Sequence, residues 1–408
     1  VIMGSGSSTL SNEEKEEFMR SMHDIFGSDN SDDAKFIKIR EKIIALQSPT
    51  LPLTTTGLSE PPPAAAMLNS KPGTPLTAEN SSNYESGAPS TDLLVLSSED
   101  TAQLEELKEW VEEKDVEVDL DDLEAIEELD WSESELEEIP VCVGVIGRNV
   151  TELALEKNSL QTIPGPVFAA FTNIVELYLR ENQITSLPPE IGLLSELDSL
   201  YLEDNLLRDL PKELSNLKNL KGLCLHRNQL TAVPESVWGC DALEELYLDG
   251  NQVVEVGEGL GNLTLLKELG MQDNQIANLP STIGNLKYMH TFHVENNKLA
   301  ELPKSFGKLK SLRRLYMNGN LLTKLHACVG RCDKLEIINV ENNKIEKMAK
   351  RIKDLPLLRF LLLANNQLSA LPFDPNASAP GLRRLTLSGN QLDATTMALE
   401  KMDTLAEE

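Results

Sequence analysis

The apolar positions of this chain alternate in short bursts that return at a fixed interval. The unit Leu177-x-Leu179-x-x-Asn182-x-Ile184-x-x-Leu187-Pro188 recurs down the chain. Its asparagine stands at Asn158, Asn182, Asn205, Asn228, Asn251, Asn274, Asn297, Asn320, Asn343, Asn366 and Asn390. The intervals are 24 residues, then eight of 23, then 24 again. Self-similarity at such a period outranks other signals, because it means one supersecondary unit stacked on itself. A degenerate copy, Leu129-x-Trp131-x-x-Ser134-x-Leu136-x-x-Ile139-Pro140, sets Ser134 24 residues before Asn158. Serine in that slot is expected of a terminal, capping unit.

Leu-x-Leu has the period of a strand, so two leucines point one way and their neighbours the other. A single short strand cannot bury that face. Stacking successive strands in parallel, about 4.8 Å apart, makes a continuous core. The asparagine follows the strand, where the chain turns away. Its amide both donates and accepts, so it can bond the backbone of neighbouring turns. Orphaning such buried groups costs about 1–3 kcal/mol each, which accounts for the uniformity of the ladder. The second half of each unit, such as Pro188-Pro-Glu-Ile-Gly-Leu-Leu, returns the chain as a short helical or 3₁₀ turn. Those turns are wider than a strand, so the stack is expected to curve with its strands inside.

The full phrase resembles the leucine-rich repeat of the intracellular, Ras-group type. Residues 269–289 match it almost letter for letter, with Leu269, Met271, Asn274, Ile276, Leu279-Pro280, Ile283-Gly284 and Leu286 in their slots. The resemblance covers about residues 129–395. It implies an α/β leucine-rich repeat solenoid, a curved parallel sheet of about 11–12 repeats. It also implies a scaffold or adaptor role in cytoplasmic signalling. Extracellular relatives usually end in four-cysteine caps, whereas the flanks here carry only Cys142.

The remainder of the chain divides by composition. Residues 1–47 are expected to hold short helical segments, with a Ser11-x-x-Glu14 capping box and apolar stripes ending at Leu46. A calcium loop starting at Asp29 fails, because its sixth position would be Ala34 and its twelfth Arg40. Residues 48–98, rich in Pro, Ser, Thr and Ala, are expected to be a disordered linker. Residues 99–128 are expected to form an acidic helical cap on the array, and 396–408 a C-terminal cap or tail. If translation starts at Met3, the run Met3 to Ser8 fits the N-myristoylation pattern, which supports only marginal membrane contact.

Charge changes the picture in one respect. The formal net charge is -29, and residues 1–140 hold 33 Asp/Glu against 9 Lys/Arg. So acidic a chain disfavours nucleic acid and anionic membrane as partners. No apolar run approaches the roughly 18 residues that span a bilayer. Neither a secretory signal nor a disulfide framework is legible, so Cys142, Cys224, Cys240, Cys328 and Cys332 read as free thiols of a cytoplasmic protein. The four N-x-S/T sequons then read as chance.

Catalytic motifs are missing as well. Gly307-Lys308-Leu309 lacks the rest of a phosphate loop, and neither H-E-x-x-H nor G-x-S-x-G occurs. His226 and His293 fall three strands apart, about 14 Å, too far to share a metal. No cofactor, metal or catalytic residue is expected. The sequence reads as a protein-interaction scaffold, not an enzyme. A regulatory subunit of a bound enzyme is the alternative, and a fragment of a larger repeat-containing enzyme a third reading.

The partner is expected on the strand positions that face away from the core. Tyr178, Tyr201, Tyr247, His293 and Tyr316 share one column, which holds four of the chain's six tyrosines. Tyrosine is enriched at interface hot spots, though strands favour it in any case. Glu203, Asp204 and Asp249 are expected to attract a basic segment of the partner. Toward the C terminus the face turns apolar or neutral, and Phe360 and Leu362 offer an apolar anchor point.

Overall fold

A computed structural model describes residues 97–374 and 381–392. The segment 1–47, the linker up to residue 96, the Met3 pattern and the tail 396–408 lie outside the described residues. Fourteen strands follow one another among those described. They are β1 (Glu128–Asp130), β2 (Glu152–Ala154), β3 (Glu176–Tyr178), β4 (Ser199–Tyr201), β5 (Gly222–Cys224), β6 (Glu245–Tyr247) and β7 (Glu268–Gly270). Then come β8 (Thr291–His293), β9 (Arg314–Tyr316), β10 (Lys324–Leu325), β11 (Ile337–Asn339), β12 (Lys347–Met348), β13 (Phe360–Leu362) and β14 (Arg384–Thr386). All but β10 and β12 form one 12-stranded parallel sheet in which spatial order follows chain order. β10 and β12 pair separately, in a small ladder that the repeat pattern did not announce.

Each strand is short because only its middle residue and the leucine after it are committed inward. Leu177 and Leu179, Leu200 and Leu202, Leu223 and Leu225 are all fully buried. Burying one such side chain is worth about 1.5–3 kcal/mol, so the core grows with every repeat and belongs to no single one. Registers pair like with like: Leu177 with Leu200, Leu200 with Leu223, Leu223 with Leu246.

The asparagines stitch consecutive turns together. Asn182 Oδ1 accepts the Leu160 N–H at 3.0 Å, and its Nδ2 donates to Leu155 O at 2.9 Å and Leu179 O at 3.2 Å. The same pattern runs from Asn158, which accepts from Leu136 N, to Asn390, which accepts from Leu368 N. Ser134 occupies the slot in the first turn, and its own N–H donates to Asn158 Oδ1.

Proline sets the return path. Pro188, Pro211, Pro234, Pro280 and Pro303 each stand just before a 3₁₀ turn, in extended backbone that lacks an N–H to satisfy. These turns pack against one another closely enough to exclude side chains. A Cβ on Gly284 would lie 2.5 Å from Ser305 O and 2.9 Å from Ser305 Cβ. Gly284→Ala should therefore lower the urea midpoint by the equivalent of about 1–3 kcal/mol. Gly222→Ala, whose nearest neighbour would be Ser199 Oγ at 3.5 Å, should not. Similar midpoints for the two variants would refute tight turn-to-turn packing.

At the N-terminal edge a helix, α1 (Ser98–Lys114), is capped by Ser97 and Asp100, which exchange backbone hydrogen bonds at 3.0 and 3.1 Å. Leu107 is fully buried, and Trp110 tilts against Trp131 with ring centroids 5.2 Å apart. The helix stops short of the expected residue 128. Asp115 adopts the left-handed conformation, and the alternating Val116, Val118 and Leu120 among aspartates favour irregular turns over helix.

Candidate functional site

Because the strands run in register, the residues on the open face of the sheet line up in columns. The third residue of each strand gives the tyrosine column, in which Tyr178, Tyr201, Tyr247, His293 and Tyr316 are all half-buried. These rings do not form one continuous stack. Tyr178 and Tyr201 lie parallel at 4.6 Å, and His293 and Tyr316 at 4.5 Å. Tyr247 stands apart, with its ring against Gly270, where a Cβ would come within 2.9 Å of Tyr247 Cδ1. Only a glycine on the neighbouring strand leaves that seat open. The phenol oxygens are tied to carboxylates: Tyr178 donates to Glu176, and Tyr247 donates to Glu268 at 3.0 Å. Burial, then the nearby carboxylates, push the pKa of both phenols well above the usual tyrosine range, so both stay protonated. His293 Nδ1 lies 3.0 Å from Glu295.

Two residues further along each chain runs a polar column, which includes Glu156, Arg180, Glu203, Asp249, Gln272 and Glu295. Arg180 pairs with Glu156 at 2.6 Å. Glu203 is only 6% exposed, and its Oε2 has no hydrogen-bond partner among the described residues. Desolvation raises its pKa to about 7 from the ordinary 4.5, although Arg180 and Arg227 pull the other way. Arg180 Nε, Gln272 Oε1 and Glu295 Oε2 in the same column also lack partners among the described residues. The column thus keeps hydrogen-bonding capacity that its own repeats do not use.

The residue preceding each ladder asparagine has positive φ, from Lys157 at 55° to Gly389 at 70°. This row forms a rim in which neighbours pair. Asp204 meets Arg227 through two hydrogen bonds of 2.5 and 2.6 Å, and Asn296 donates to Asp273 at 2.8 Å. Of the three acids read as attracting a partner, Glu203 is thus enclosed and Asp204 already carries a guanidinium. Asp249 is half-buried on β6's extension, with its Oδ1 close to Gly270 on the neighbouring strand.

Phe360 and Leu362 sit two strand spacings, about 10 Å, from Tyr316 but far from the other tyrosines. Both are half-buried on β13, seven strand spacings or about 34 Å from Tyr201. In register with Phe360 stand apolar Ile337 on β11 and exposed Arg384 on β14, and exposed Arg314 lies one strand further, on β9. The buried thiols offer no chemistry at neutral pH: burial pushes Cys240 and Cys332 up to about 12.

Comparison with known families matches residues 148–207 and 195–253 to the leucine rich repeat family, and residues 256–371 to the leucine-rich repeat region family. The chain is a leucine-rich repeat protein. Among solved structures, a leucine-rich repeat protein of Leptospira interrogans is 29% identical, with a TM-score of 0.50 over 67% of this chain and 81% of that one. The plant peptide hormone receptor RGFR1, solved in complex with RGF2, is 27% identical, with a TM-score of 0.57 over 66% of this chain. A TDR receptor is 26% identical, with a TM-score of 0.59 over 66% of this chain. The repeat protein spans 45% and 48% of those two receptor chains. No curated protein sequence matches it.

Proposed function

We propose that this leucine-rich repeat protein is a non-catalytic scaffold or adaptor of intracellular, Ras-group type that holds a partner protein on the open face of its sheet. The observation that carries this reading is the tyrosine column. Its paired rings, set beside a column of polar and charged side chains, offer rigid apolar area next to hydrogen-bonding groups. The acids around Tyr247, namely Glu245, Asp249 and Glu268, favour a basic segment of the partner over the middle strands. A role in cytoplasmic signalling accords with the repeat's resemblance and with the buried, high-pKa thiols.

The test is capture of a partner by the full chain, followed by kinetics on variants. Tyr201→Ala should speed dissociation by the equivalent of about 1–3 kcal/mol. Asp249→Lys should slow association, with an effect that fades in high salt. Lys287→Glu, on an outer turn, should change neither. If Lys287→Glu weakens the captured complex as much as Tyr201→Ala does, the open face is not the binding site.

A further inference from the structure

Where the N-terminal helix α1 meets the first return turns, the surface opens into a cavity of about 580 Å³. Its walls come from α1, the turn at residues 123–124, the 3₁₀ turn Val141–Ile146 and the short helix Gly165–Ala170. Leu123, Val141, Val145 and Ala170 give it apolar lining. Val141 is 48% exposed, and it stands where later turns carry Lys212, Glu235, Ser281 and Lys304, each directly after its proline. Packing of one repeat on the next therefore does not call for an apolar side chain in that slot. Two exposed charges of opposite sign, Glu124 and Arg148, line the same cavity. Among the described residues neither the carboxylate nor the guanidinium has a hydrogen-bond or ion-pair partner, and the two do not pair with each other. The backbone that carries them is fastened, since Asn149 Nδ2 donates to Glu124 O at 2.9 Å and Asn173 Nδ2 donates to Arg148 O at 2.6 Å. Asp100, the other acid of the lining, already accepts the Ser97 N–H at 3.1 Å in the helix cap.

We infer that this cavity is a small-molecule site for a zwitterion with an apolar body, the chemistry shared by a free apolar amino acid and an apolar dipeptide. The inference is independent of the reading of the open face, since no residue of the cavity's lining belongs to a strand. Small-molecule sites span about 300–1,000 Å³ and combine apolar walls with a few polar groups that fix orientation, which is the composition found here. Arg148 takes the ligand's carboxylate, because a guanidinium presents two parallel N–H donors to it. Glu124 accepts from the ammonium group. The ligand's apolar side chain then leaves water against Leu123, Val141 and Val145. Both charges are exposed and screened by water, so each adds modestly to affinity and their larger effect is on selectivity. A simple anion meets Glu124 and Asp100, and a simple cation meets Arg148. A ligand that carries both signs satisfies the two free groups together.

The experiment titrates the full chain by calorimetry with four probes: L-leucine, L-leucyl-L-leucine, glycine and N-acetyl-leucine amide. Leucine or dileucine should bind saturably with one site per chain, and the tighter of the two identifies the source that the site prefers. Glycine, which has both charges and no apolar body, should bind about tenfold more weakly than that ligand. The blocked amide, which has the apolar body and neither charge, should also bind about tenfold more weakly. Arg148→Gln and Glu124→Gln should each weaken the preferred ligand about fivefold at low salt and less at high salt. Val141→Ser should weaken it to a similar extent at either salt. All three side chains are exposed, and unchanged thermal midpoints verify that the variants are folded. Absence of saturable binding by both leucine and dileucine would overturn the inference, as would equal binding of the blocked amide. Binding indifferent to both charge variants would place the ligand elsewhere and overturn it as well. None of these outcomes involves Tyr201, so the reading of the open face stands or falls by its own test.

Discussion

Asn251→Leu should unfold the array at a much lower urea concentration than a single change that leaves the asparagine ladder intact. The asparagine's Nδ2 donates to Leu225 O at 2.9 Å and Leu248 O at 3.0 Å, and its Oδ1 accepts the Leu230 N–H at 3.0 Å. Leucine fills the space but supplies none of these, leaving two buried carbonyls and one buried N–H to find substitutes. At about 1–3 kcal/mol for each orphaned group, the loss is several kcal/mol. Ser134→Ala is the matched control at the terminal position. Its hydroxyl donates only to Ser132 O at 3.1 Å in a partly exposed turn, so the loss should stay below about 1 kcal/mol. Equal urea midpoints for the two variants would mean that the ladder does not carry the stability assigned to it.

The second large effect should come from pH. Glu203 is enclosed in the polar column, and its folded-state pKa stands near 7, above the ordinary 4.5. A raised carboxyl pKa means that the folded protein holds a proton that the unfolded chain releases. The protonated form's contribution is complete below about pH 4.5 and is lost as pH rises through 7. Over that window the shift corresponds to about 3 kcal/mol. Glu203→Gln keeps the shape and removes the charge. It should match the wild type at pH 4.5 and exceed its stability at pH 8 by up to that amount. Parallel stability profiles for the two proteins between pH 4.5 and 8 would rule out the enclosed carboxylate as their cause. The same proton matters to binding, since a cationic group brought near Glu203 would favour its release at neutral pH.

Both predictions arise from residues that the repeat pattern named, yet only the first could be argued from the pattern itself. The asparagine interval, the Leu-x-Leu alternation and the proline before most of the 3₁₀ turns are local, and each imposes its geometry through bonds and sterics within one repeat. From them the sequence by itself determined a parallel sheet, an inward leucine core, an asparagine ladder and a column of tyrosines facing outward. Even the change of sign in the charge is countable in the sequence, with 41 Asp/Glu against 13 Lys/Arg over residues 97–300 and 7 against 16 over residues 301–392.

What the tertiary structure alone decided concerns relations between repeats. Two rings one repeat apart stack, as Tyr178 does with Tyr201, or stay separate, as Tyr247 does against Gly270, according to the partner strand's side chain and rotamer. Whether an acid on the outward face is exposed depends on its neighbours on both adjoining strands. Glu203 is thus enclosed while Asp204 reaches Arg227, although the two are adjacent in sequence. Likewise Phe360 came into register with Arg384 and Arg314 only when parallel pairing set it between residues 24 positions later and 46 earlier. Burial and electrostatics depend on distances in space, and in a solenoid those distances are set by stacking one repeat on the next.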